Sequence, residues 1–335
     1  HIAFNVLNVG RLKLGVACVG GARHALAHMI RYAKERQAFG KPIAEKGLIQ
    51  RKISSSAAQL YAAESMAYRT TGLIDARLGG AAAADAPKII GEYAVECSIL
   101  KVYGSEMLSH LSDELVATMG GYGYVEEYPA ERFYRDARIN RIFEGTNEIN
   151  RLIITGWLMK QAMAGKLPLL NAIKRIMDEV TEPPSFDSGS DEDAPLAREG
   201  AVLAAARKIA LFAAGVASQR YMTDLEEQQE IMADLADAIG QIYALESALL
   251  RAKKIAALRP GTAQAAIAMT GLIAEDTMMI AEQAARRVLA ACGEGDALRT
   301  QLAILRRLSR FTPANATALS RSVAQKCIEL ERYPM

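Results

Sequence analysis

The sequence predicts an all-α protein, a four-helix bundle followed by a second helical bundle. Three observations predict it. Apolar residues recur at helical spacing through most of the 335 residues. No stretch alternates apolar and polar residues as a half-buried strand does, and no Asn-Gly hairpin signal separates the periodic segments. Hydrophobic residues make up 51% of the chain, enough to fill the cores of about two domains.

Taken in order, the first helix is expected from about Ala3 to Glu35, on Phe4, Val6, Leu7, Val9 and Leu12. Gly10, Gly15, Gly20 and Gly21 lie inside it and indicate close helix packing in place of a break. The segment Arg31 to Ile43, RYAKERQAFGKPI, ends it: basic residues complement the C-terminal dipole, and Phe39, Gly40 and Pro42 form a stop. A second helix is expected from about Lys46 to Leu78 and a third from about Ala83 to Met119, closed by Gly120 and Gly121 in a tight interhelical turn. GGYGY, Gly120 to Tyr124, follows a helix and lacks a full GxGxxG, so a Rossmann phosphate loop is excluded. The fourth helix follows Glu144 with Ile149, Leu152, Ile153, Gly156 and Trp157 as its core stripe, completing a bundle over residues 1–165. Residues 166–195 form a linker, ending in the proline-rich, acidic EPPSFDSGSDEDAP of Glu182 to Pro195. Leu196 to Arg220, Asp224 to Leu258, Thr262 to Cys292, Leu298 to Arg310 and Ala314 to Glu331 then read as Ala-rich amphipathic helices of a non-catalytic domain, 196–335.

Composition narrows the function classes. A net charge of +2, with no Lys/Arg run interleaved with aromatics, argues against nucleic acid. Cys18, Cys97, Cys292 and Cys327 have neither CxxC spacing nor nearby histidines, which supports no zinc site and no disulfide framework and fits a reducing cytoplasm. His24 and His28 are one helical turn apart without a carboxylate between them, so no metal is expected. Neither a signal peptide nor an apolar run of bilayer length is read in the sequence.

The chemistry concentrates in Arg135 to Asn150, RDARINRIFEGTNEIN. Glu144 stands behind Ile142 and Phe143 and ahead of Gly145, and burial there would disfavour its charged form and make it a general base. The alternative is a Glu that serves the dipole or cap of the next helix. Thr146 or Asn147 suits the N-cap itself.

This string resembles the active-site signature of the acyl-CoA dehydrogenases, FAD enzymes that oxidise fatty acyl thioesters. The resemblance implies that Glu144 takes the α proton of a fatty acyl-CoA while the β hydrogen leaves as hydride to the flavin, giving a trans-2-enoyl-CoA. It also implies that Phe143 and Gly145 contact substrate, that the Glu144 N–H bonds the thioester carbonyl, and that Thr146, Asn147 and Glu148 lie on the flavin side. Electron-transfer flavoprotein is the implied electron acceptor, and a homodimer or dimer of dimers the implied assembly. The chain begins at His1 inside a helical pattern, so under the resemblance it is expected to be a C-terminal fragment lacking an N-terminal helical domain and a β-domain.

Three further motifs gain roles the same way. In the family the RxxFG element reaches across the dimer to the partner's FAD, which implies Arg36 on its pyrophosphate and Gln37 and Phe39 on neighbouring contacts; a forked guanidinium suits paired phosphate oxygens. Gly120 and Gly121 are implied to admit the adenosine end, although Ala117 stands where the family usually has Gln. Asn8 and Arg11, at i and i+3, read alone as a solvated polar face and by resemblance as contacts to the pantetheine and phosphate region of the substrate. That pair, KGLIQ at Lys46 to Gln50, and the C-terminal extension resemble the very-long-chain branch, with Lys46 replacing the usual Phe. Trp157 to Met177 is read as a helix end and packed linker, favoured by Pro168; the branch's membrane association implies instead peripheral contact with an anionic surface at the inner face of a membrane. A catalytically silent helical scaffold of the same fold is the alternative function, and the intact FEGTNE string favours the enzyme.

Overall fold

The computed structural model describes residues 2–180 and 196–335; the expected acidic linker lies outside the described residues. Helix α1 runs Ile2–Glu35, and β1 (Gln37–Ala38) pairs antiparallel with β2 (Lys41–Pro42) in the register Gln37↔Pro42 and Ala38↔Lys41. The expected helix stop is therefore also a hairpin. Its two central residues, Phe39 (φ 53°) and Gly40 (φ 80°), adopt the positive φ that matches a two-residue turn to strand twist. No Asn-Gly marks it, because Phe39 accepts the conformation.

Helix α2 (Gly47–Leu78) follows the expected span. The expected third helix is divided into a 3₁₀ turn (Ala83–Asp85), α3 (Ala86–Glu92) and α4 (Ala94–Met119). Pro87 in the first turn of α3 and the non-helical Tyr93 (φ −100°, ψ 22°) behind Gly91 separate the pieces. α5 (Gly121–Tyr124) and α6 (Ala130–Ile139) come next. α6 was not legible because it buries only Ala130 and Ala137 and carries no large apolar stripe. The chain continues through α7 (Asn147–Met163), α8 (Leu169–Glu179), α9 (Ala197–Tyr221), α10 (Gln229–Leu258), α11 (Pro260–Cys292), α12 (Gly295–Leu308) and α13 (Ala316–Leu330). The all-α expectation holds.

Two compact units form, and they are not sequential as the 1–165 and 196–335 division anticipated. One comprises 1–150, 247–273 and 314–335; the other comprises 151–246 and 274–313. Late segments enter the first unit because their apolar faces match α2. Tyr61 and Ser65 on α2 meet Arg251 and the Ala248 carbonyl, and Ser54 meets Ser320 of α13.

In the first unit α1 packs along α4 over Leu26, Met29, Ile30, Leu100, Leu111 and Leu115, all fully buried. The helices approach most closely at Gly15, where a Cβ would lie 2.5 Å from Leu100 Cγ, so the glycine is a packing requirement as expected. Glu64 of α2, 3% exposed, accepts from Arg23, from Arg251 at 2.6 Å and from the Tyr333 hydroxyl at 3.1 Å, tying down the C-terminal tail. In the second unit Phe212, Ile209, Met278, Val288 and Leu289 form the core, with Arg151 paired to Asp237 and Arg287 to Asp234. Ala197–Glu227 is long and apolar enough by length and composition to cross a membrane, which corrects the reading that no such run exists. Half of its apolar window is buried in the fold, as in the core helix of a helical unit.

Candidate active site: the Glu144 loop

The loop before α7 carries two successive residues in the left-handed region, Glu144 (φ 59°) and Gly145 (φ 83°). For Glu144 this costs about 1–2 kcal/mol and persists only where the surroundings impose it. They do so by capturing three consecutive carbonyls. Glu144 O accepts from Arg11 Nε at 3.3 Å; Gly145 O accepts from Lys101 Nζ and Asn150 Nδ2, each at 2.8 Å; Thr146 O accepts from Asn150 Nδ2 at 3.0 Å. Asn147 N–H closes the turn onto Arg141 O at 3.1 Å.

The Glu144 side chain, half-buried, lies directly on α1. A Cβ built on Gly10 would stand 2.3 Å from Glu144 Oε2 and 2.8 Å from Oε1. Gly10 thus opens the seat of the carboxylate, a role its sequence context shows only as one glycine among four in a helix. The apolar shield expected from Ile142 and Phe143 does not form, since they are 48% and 46% exposed and Gly10 and Arg11 bound the loop instead. Among the described residues the Glu144 N–H has no hydrogen-bond partner, which leaves it available to a carbonyl.

Several expected ligand contacts face inward. Asn8 and Arg11 are 4% and 3% exposed, and Arg11 Nη1 donates to Asn8 Oδ1 at 3.1 Å, so the pair props the loop and is not a solvated face. Burial lowers the Arg11 pKa, while Cys97 and Glu144 act in the opposite direction. Asn147 is 1% exposed and spent internally: its Oδ1 accepts from Lys101 at 2.6 Å, and its Nδ2 donates to Ser105 Oγ and Glu106 Oε1, each at 3.0 Å. No donor or acceptor of its amide remains for a flavin. Thr146 Oγ1 accepts from Ile149 N at 3.3 Å, the expected cap. Phe143 and Glu148 are exposed. Gly145 requires its residue type, with a Cβ meeting Asn150 Nδ2 at 3.2 Å. The buried residues of α7 are Asn147, Asn150, Ile154, Thr155 and Ala162, offset from the expected stripe, whose first member Ile149 is 50% exposed. Polar anchoring of the loop turns the helix there.

Lys101 was missed. It is fully buried on α4, and burial pulls its pKa down to about 8, against the charges of Glu106 and Glu148. A lysine inside the apolar run Cys97 to Gly104 was the available signal.

In the same unit, a hollow of about 570 Å³ brings together two motifs that stand far apart in sequence, Arg36 with Gly120 and Gly121, beside Tyr32 and Thr118. Among the described residues the Arg36 guanidinium has no partner, and the buried Thr118 hydroxyl has none. A Cβ on Gly120 or Gly121 would meet nothing within 4 Å, so the floor is open. A free guanidinium, an unsatisfied hydroxyl and open glycines fit the pyrophosphate and adenosine end of FAD. Gln37 and Phe39 are exposed, Phe39 at 97%, and neither lines the hollow. Exposed Ala117 does not line the hollow. The four cysteines are free and buried, as expected without a disulfide framework.

An all-α unit that carries a carboxylate on a pinned left-handed turn and, towards the other end of α1, a hollow with a free guanidinium and open glycines has the parts that a flavin-dependent acyl-thioester dehydrogenase needs. Two family models, both described as acyl-CoA dehydrogenase, C-terminal domain, match residues 1–159 and 205–307, and the chain belongs to the acyl-CoA dehydrogenase family. It is 42% identical to a probable acyl-CoA dehydrogenase of Bacillus subtilis (strain 168) over 99% of this chain and 57% of the relative. A crystal structure of an acyl-CoA dehydrogenase complexed with FAD from Bacillus anthracis matches with a TM-score of 0.93 and 42% identity, over 99% of this chain and 57% of that one. The mitochondrial short-chain specific acyl-CoA dehydrogenase of Homo sapiens is 36% identical over 48% of this chain and 35% of its own length. The chain spans a little over half the length of the Bacillus relatives it matches.

Proposed function

We propose that the protein acts in FAD-dependent α,β-dehydrogenation of long-chain fatty acyl-CoA, in fatty acid β-oxidation, with Glu144 as the base. The observation that carries this is the seat of its carboxylate against Gly10, on a turn whose backbone is held by three buried side chains. The α C–H of a thioester is weakly acidic, and its removal needs an oriented acceptor. Glu144 Oε takes the α proton, and its free N–H donates a hydrogen bond to the thioester carbonyl, whose oxygen gains charge as the proton leaves. FAD, when bound, supplies the hydride acceptor for the β hydrogen. Arg36, Thr118, Gly120 and Gly121 would hold the pyrophosphate and adenosine end of the FAD of a dimer partner, in keeping with the FAD in the Bacillus anthracis relative.

The long-chain, very-long-chain-like class rests on Lys46 to Gln50 and on the C-terminal region, which the Bacillus relatives share and the human short-chain alignment does not reach. Electron-transfer flavoprotein as acceptor, a homodimer or dimer of dimers, and a cytoplasmic location complete the proposal. In the test, full-length Glu144→Gln retains FAD but is not bleached anaerobically by palmitoyl-CoA. Unchanged bleaching removes Glu144 from the mechanism, and a parent protein bleached by no acyl-CoA from C4 to C20 is a scaffold.

A further inference from the structure

We propose that Lys101 is a positioning residue for the Glu144 carboxylate, acting through the Gly145 carbonyl and the Asn147 side chain. The proposal rests on Glu144 being the base.

The turn at Glu144 and Gly145 is unfavourable by itself, and each fastening that holds it comes from a different element: Arg11 from α1, Lys101 from α4, Asn150 from α7. Lys101 differs from the other two in joining both ends of the turn. Its ammonium donates to Gly145 O at 2.8 Å, on the residue after the base, and to Asn147 Oδ1 at 2.6 Å, at the first residue of α7. Asn147 is itself fixed to α4 through Ser105 Oγ and Glu106 Oε1. One buried cation therefore sets the spacing between the base and the rigid helix behind it. Fully desolvated ammonium groups are expensive, and two charge-assisted hydrogen bonds to a loop that otherwise serves only to present Glu144 are a functional use of that cost. Methionine at 101 keeps the volume and removes both donors, so Gly145 O keeps only Asn150 and the turn relaxes, carrying the carboxylate with it. A displacement of about 1 Å in a reacting group costs on the order of 100-fold in rate.

The test uses the full-length FAD-loaded protein, Lys101→Met and Lys101→Gln, with palmitoyl-CoA and its 2,2-dideuterated form. The expected result, per bound flavin, is bleaching slowed at least tenfold, a KM within twofold of the parent, and a larger deuterium isotope effect because proton removal has become slower. Amide exchange over 141–147, measured also on flavin-free protein, should accelerate while 316–330 keeps its protection. A lysine that merely stabilises the fold would lower melting temperature and flavin content but leave the rate per flavin and the isotope effect unchanged, and that result overturns the proposal. If both variants lose flavin, unchanged exchange over 141–147 in the flavin-free protein overturns it equally. Glu144→Gln is run alongside. Parent-like bleaching in that variant sinks the base assignment, whereas a silent Glu144→Gln with a parent-like Lys101→Met sinks the lysine alone.

Discussion

Replacing Gly10 with alanine puts a methyl group where the Glu144 carboxylate now rests. The new Cβ would lie 2.3 Å from Oε2, and ordinary contact begins near 3.4 Å, so the carboxylate must withdraw by 3.4 − 2.3 = 1.1 Å. Withdrawal is inexpensive for the fold, because the obstructing atoms are the end of a flexible side chain. Alanine in the interior of α1 in fact stabilises by about 1 kcal/mol relative to glycine. Catalysis has no such freedom. A shift of that size lowers the rate on the order of 100-fold, equivalent to about 2.7 kcal/mol of barrier. Gly10→Ala should therefore separate the two properties, with a melting temperature equal to the parent or roughly 2 °C higher and a severe loss in anaerobic flavin reduction by palmitoyl-CoA. A stable variant that reduces its flavin within threefold of the parent rate would refute the reasoning, since the base would then lie elsewhere.

Two further expectations concern stability. Glu64→Ala strands Arg251 and the Tyr333 hydroxyl around a vacated buried site, so urea unfolding should report a loss of about 3 kcal/mol; a loss below about 1 kcal/mol would contradict the view that this carboxylate anchors the C-terminal tail. Asp276 has its pKa raised from 3.8 to about 6, first by burial and then by Glu275. The folded state thus holds this proton more tightly than the unfolded one, so its contribution is present below about pH 4 and is lost as pH rises to about 6, by at most about 3 kcal/mol. Asp276→Asn should flatten that part of the stability profile, and an unchanged pH dependence between 4 and 6 would refute the assignment.

Local pattern alone was sufficient for the all-α class, the spans of α1 and α2 and the cap at Thr146, because helical periodicity and capping chemistry act over a few neighbouring residues. The weakly apolar α6 and the division of the third helix at Tyr93 escaped that reading for the same reason: neither leaves a strong periodic mark. Tertiary structure decided which way the polar residues face. Packing of α1, α4 and α7 makes Asn8, Arg11 and Asn147 the fastenings of one loop, an inward role that their spacing in the sequence does not show. Arg36 meets Gly120, Gly10 meets Glu144, and the last helices join the first unit only in three dimensions. The physical reason is range. Backbone preference is written within a turn or two of chain, whereas desolvation and hydrogen-bond pairing are settled among groups more than a hundred residues apart, as Arg11 and the Glu144 carbonyl are.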